Sequence, residues 1–138
     1  MLKSLTLAVS ALGLFAMPAH AQDEAEMTRG EEKLAKLLEG REAGEPKSCI
    51  RTVGSRNLTQ IDGTALTYRD GDTIWVNYTR NPESIDDSTV MVIKRFSANT
   101  LCRTDHIDLV DRVGGGGFLR GVLMLDDFIP YTKVASED

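Results

Sequence analysis

His106 is flanked by Asp105 and followed at the second position by Asp108, and a carboxylate beside an imidazole can orient a general base near neutral pH. No serine or cysteine nucleophile stands in a recognisable motif such as G-x-S-x-G. These three residues are therefore a secondary catalytic candidate, and a partly covered histidine on a strand is the ordinary reading. The two cysteines, Cys49 and Cys102, lack C-x-x-C spacing. With one histidine beyond residue 21, they cannot assemble a zinc site of the usual composition. Glu83, Asp86 and Asp87, or Asp70 and Asp72, offer oxygen ligands for calcium, but neither group has EF-hand spacing. Turn and solvent roles explain them better, and no metal is assigned. Gly114 to Gly117, followed by Phe118-Leu119-Arg120-Gly121, imitates a phosphate loop. No Gly-Lys-Ser/Thr follows and no helix is expected there, so no cofactor is expected either. The simpler reading is a mobile hairpin tip, with Phe118 and Leu119 as contact candidates for a partner or a membrane surface.

The compartment is read from the amino end. Lys3, the apolar run Leu5 to Met17 and the small-residue site Ala19-His20-Ala21 have the form of a secretory signal over residues 1–21. That run is short of the roughly 20 residues a transmembrane helix needs. No later segment is apolar enough to cross a bilayer, and a periplasmic or secreted product is expected. In that setting two cysteines most simply form one structural disulfide, Cys49 to Cys102, with free or redox-active thiols as the alternative. Without Lys3, 15 of the 16 Lys and Arg residues face 21 Asp and Glu, a net of −6. That balance argues against nucleic acid or anionic lipid as the main partner, since both require a basic face.

The remaining chain suits one domain, with residues 22–27 as a mobile amino-terminal segment, 28–134 as a single disulfide-linked domain and 135–138 as a tail. Thr28-Arg29-Gly30-Glu31 fits the capping box, and Leu34, Leu37 and Leu38 make a narrow apolar stripe, so a short helix closed by Gly40 is expected. Asp62-Gly63 and Asp70-Gly71 bracket Thr64 to Arg69 and predict a meander with type I′ turns. Leu66 and Tyr68 share one strand face; Ile74, Val76 and Tyr78 share another, with Trp75 and Asn77 opposite. Arg80 to Ser88 reads as an exposed loop. Val90 to Ile93 reads as a central strand covered on both faces, and Val122 to Leu125 as a second buried run. The alternation around Leu101 to Arg112 changes phase, which places a bulge or break near Arg103-Thr104-Asp105. Pro130 predicts an edge position for the last strand.

Lys33-Leu34-Ala35-Lys36-Leu37-Leu38-Glu39-Gly40-Arg41, Ala43-Gly44-Glu45-Pro46-Lys47-Ser48-Cys49-Ile50, Ile61-Asp62-Gly63-Thr64-Ala65, Leu101-Cys102, Asp108-Leu109-Val110-Asp111-Arg112 and Phe128-Ile129-Pro130-Tyr131-Thr132-Lys133 together resemble an uncharacterised family of small exported bacterial proteins. The resemblance implies an envelope location and paired cysteines, and nothing about chemistry. The expected fold is α+β and mainly β: one amino-terminal helix packed on a small antiparallel meander or partly closed barrel, with one disulfide. The expected function is a non-enzymatic domain that binds an envelope protein or small ligand; the alternative is a small hydrolase using His106 with Asp105 or Asp108.

Overall fold

The computed structural model describes residues 27–54, 56–94, 97–112 and 117–135. The signal-like stretch, most of the amino-terminal segment and Gly114 to Gly116 lie outside the described residues.

Helix α1 (Arg29–Leu37) starts where the capping box places it: the Thr28 amide donates to Glu31 Oε2 at 2.7 Å, and the Glu31 amide donates to Thr28 Oγ1 at 3.3 Å. Gly40, with φ of 69°, turns the chain out of it. Ten strands follow: β1 (Arg41–Ala43), β2 (Cys49–Arg51), β3 (Leu58–Ile61), β4 (Ala65–Asp70), β5 (Thr73–Asn77), β6 (Thr89–Lys94), β7 (Thr100–Cys102), β8 (His106–Asp111), β9 (Leu119–Met124) and β10 (Ile129–Lys133). They form three antiparallel sheets, ordered β1-β10-β5-β4-β3, β2-β7 and β6-β8-β9, and no barrel closes among the described residues. Cys49 and Cys102 stand directly opposite each other on β2 and β7 and are bridged, with an S–S distance of 2.07 Å.

Both faces of the five-stranded sheet are covered, which explains why each carries an aromatic. Leu66, Tyr68 and Trp75 face the main core, where Ile50 and Leu101 of the disulfide-linked pair and Ile107, Leu109 and Leu123 of the three-stranded sheet meet them. Ala65, Ile74 and Val76 face the other way, onto Leu34 of α1. Each fully buried Leu or Ile contributes about 1.5–3 kcal/mol, so the two clusters together account for the cohesion of the sheets.

Several expectations are corrected. Positive φ in the β4–β5 turn is confined to Gly71, the first central residue, as type II′ requires; type I′ would need it at Asp72 as well. The Arg80 to Ser88 loop contains a 3₁₀ turn (Pro82–Ser84) and drives Ile85 into the core, so it is only partly exposed. Pro130 lies on an internal strand. The Pro130 carbonyl accepts from Gly44, and since N–H and C=O of one residue point to the same side in an antiparallel strand, its missing donor falls on that side, beyond the last β1 pair. The expected break at Arg103-Thr104-Asp105, by contrast, is present, as a turn that carries the chain from β7 into β8, a different sheet. The largest correction concerns Val90 to Ile93: β6 is an edge strand, with Val90 and Val92 exposed on the sheet's outer face. Val122 to Leu125 likewise alternates, Leu123 and Leu125 buried and Val122 and Met124 exposed.

Candidate functional site

Strand alternation and register settle what the outer face of the three-stranded sheet carries. Met91, Ile93, Ile107, Leu109 and Leu123 pack inward, and residues opposite one another share a face. Three rows therefore cross the outer face: Val90, Val110 and Leu119; Val92, Asp108 and Val122; Lys94, His106 and Met124. Leu119 owes its place to a β-bulge. The register shifts between Leu109 and Val110, so Arg120 is the extra residue and ion-pairs with Asp111. Without the bulge, Leu119 would point into the core side, because a one-residue slip exchanges the faces.

The result is an apolar surface: Val90 is 44% exposed, Val92 43%, Val122 38%, Met124 51% and Leu119 61%, with Phe118 beside it at 73%. Lys94 Nζ and Asp108 Oδ2, 2.6 Å apart, form the only ion pair within this face among the described residues. Scattered apolar residues on a surface need no explanation, but a contiguous set on one sheet face does.

The two edges of this sheet differ. The β9 edge is closed by the segment after β5, where side-chain amides imitate a strand: Asn81 Nδ2 donates to the Val122 carbonyl at 2.9 Å, and Asn81 Oδ1 accepts from the Met124 amide at 2.9 Å. The Arg80 amide donates to the Met124 carbonyl at 2.8 Å, and Asn77 grips both N–H and C=O of Asp126. The β6 edge pairs with no strand among the described residues.

The sequence-derived candidates fall around this face without converging on a catalytic set. His106 is exposed at its corner and, with Asp105, Arg80, Arg103, Val122 and Met124, lines an open concavity of about 770 Å³. No hydrogen bond or ion pair joins His106 to either acid among the described residues. Asp105 is buried, and its Oδ2 accepts from the Cys102 amide at 2.8 Å, so it holds the turn between β7 and β8. Asp108 is held by Lys94. Phe118 and Leu119 adjoin the apolar face. Among the described residues no three His, Cys, Asp or Glu groups are placed to hold a metal. Asp86, one of the calcium candidates, instead accepts from the Ser88 hydroxyl at 2.6 Å and amide at 2.8 Å, bonds that hold its carboxyl below the ordinary range. Asp62 is pushed upward by burial first, then by its neighbour Asp87.

Sequence reasoning missed Val90, Val92, Val122 and Met124 as site residues. The signal was present: two apolar runs that ask for more cover than the described residues supply. No family model, curated protein or solved structure matches this chain.

Proposed function

We propose that this protein is a non-catalytic binding domain of the bacterial envelope that docks a partner protein on the outer face of β6, β8 and β9. The observation that carries the reading is that face itself, with five side chains of Val, Leu and Met exposed on a sheet whose other side is the core. The buried cores of protein interfaces are apolar and enriched in methionine and aromatic residues, and this face carries Met124 with Phe118 beside it. The location rests on the signal-like first 21 residues and on the family resemblance, and the Cys49–Cys102 bridge suits an oxidising compartment. A hydrolase built on His106 would need a carboxylate to orient the imidazole, and both neighbouring acids are engaged elsewhere.

The test is affinity capture from the envelope fraction with the mature chain and with a Val92→Lys/Met124→Lys double variant. Both positions are exposed, so the variant should fold with the wild-type near-ultraviolet signature. A partner retained by the wild type and lost by the variant is the expected result. Identical captures, empty captures, or an esterase activity abolished by His106→Ala would overturn the reading.

A further inference from the structure

The opposite side of the molecule carries a second, unrelated feature. Helix α1 begins against the β3–β4 turn and runs towards β1 at the far edge of the five-stranded sheet. At nine residues it is too short to cover the face it crosses, and the Thr59 and Thr67 end of β3 and β4 is left beside it. A cleft of about 420 Å³ opens there, within the size range of small-molecule sites. Leu37, Ile61 and Ile74 give it an apolar lining, and Lys33, Lys36 and Arg69 contribute the charged groups.

Those three cations are exposed, and none forms an ion pair among the described residues, where four other cations do. Among the described residues no carboxylate lines the cleft, and Asp62, on which Lys33 acts, lies outside it. On a chain of net charge −5, three positive groups around an apolar cavity are a local reversal of the overall field. An apolar lining selects a hydrocarbon, and the cations select a negative head.

We propose that this cleft binds a small anionic amphiphile, a carboxylate carried on a medium-length hydrocarbon chain. The hydrocarbon lies along Leu37, Ile61 and Ile74, and the carboxylate is held among Lys33, Lys36 and Arg69. Thr59 and Thr67 place hydroxyls along the same wall. The site is independent of the β6, β8 and β9 face, since it is built on α1 and on the other sheet.

The experiment is calorimetric titration of the folded mature protein with decanoate below its aggregation concentration, alongside decanol, decyltrimethylammonium and acetate. Saturable one-to-one binding of decanoate is expected, with each of the other three at least about tenfold weaker. An exposed ion pair is worth roughly two- to fivefold, so Lys36→Glu/Arg69→Glu, which reverses two charges, should raise the decanoate Kd at least about tenfold. Both side chains are exposed, and an unchanged near-ultraviolet spectrum verifies that the variant is folded. Amide shifts on decanoate binding should centre on residues 57–61 and 67–69. Absence of saturable binding, equal affinity for decanol or the cationic amphiphile, or a double variant that binds as well as the wild type would each overturn the proposal.

Discussion

At Thr79 the backbone has φ of 53°, a left-handed conformation that a β-branched residue rarely adopts. Its hydroxyl is buried without a hydrogen-bond partner among the described residues. The surrounding bonds enforce this: the Thr79 amide donates to Asn77 Oδ1 at 3.0 Å, and Arg80 and Asn81 are fixed to β9. Left-handed backbone costs about 1–2 kcal/mol at such a residue, and glycine would lose about 1 kcal/mol in chain entropy. Thr79→Gly should therefore lie between no change and about 1 kcal/mol of stabilisation in urea denaturation, with release of the unsatisfied hydroxyl on the favourable side. A loss above about 2 kcal/mol would show that the methyl group's packing outweighs the strain. Next to it, Tyr78 has its phenol pushed up to about 12, by burial first and then by the hydroxyl contact with Tyr131 at 3.2 Å. Because the folded value is the higher one, the associated stability is complete below the ordinary tyrosine value near 10 and is lost as pH rises through about 12. Phenolate absorbance of the wild type minus that of Tyr78→Phe should show a midpoint near 12; one near 10 would contradict the assignment.

Gly30 shows how one element is seated on another. It is buried in the first turn of α1, and a Cβ there would overlap Thr64 Oγ1 and the Asp62 carbonyl. Because one obstacle is backbone, Gly30→Ala must lift the helix or deform the β3–β4 turn, at about 1–3 kcal/mol. Thermal unfolding should show that loss, and a variant as stable as the wild type would mean the helix rests elsewhere. The capping box and the Gly40 stop were legible because each depends on residues within one turn. The break between β7 and β8 was legible from the change of phase between Leu101 and Ile107. Pro130 misled because an edge rule ignores which side of the strand lacks a donor. The bulge at Arg120, which turns Leu119 outward, has no composition signal. Val90 to Ile93 misled for a more useful reason: an apolar run reports that cover is required and is silent about which chain provides it. The cleft beside α1 was not legible because Lys36 and Arg69 are far apart in sequence and meet only through the path of the helix across the sheet.

Across the whole molecule, the Cys49–Cys102 bridge closes a separation of 53 residues that contains most of the meander. Closure of such a loop stabilises by about 4 kcal/mol in the chain-entropy model, a large share of the 5–15 kcal/mol typical of a domain. It joins strands of only three residues each, which are otherwise held by their short ladder and by Ile50 and Leu101 in the core. Cys102→Ser should lower the unfolding free energy by roughly 2–5 kcal/mol, measured against the oxidised wild type; a loss below about 1 kcal/mol would show that the sheets hold without the staple. The sheet of β6, β8 and β9 rests on that framework through Ile107, Leu109 and Leu123, which share the core with Ile50 and Leu101. The direct test is photocrosslinking in intact cells with a benzophenone residue introduced at Val92, at Met124 and, as a control on the opposite side, at the exposed Glu32 of α1. A discrete crosslinked partner from positions 92 and 124 and none from 32 is the predicted result; equal products from all three positions, or none from 92 and 124, would contradict the docking face.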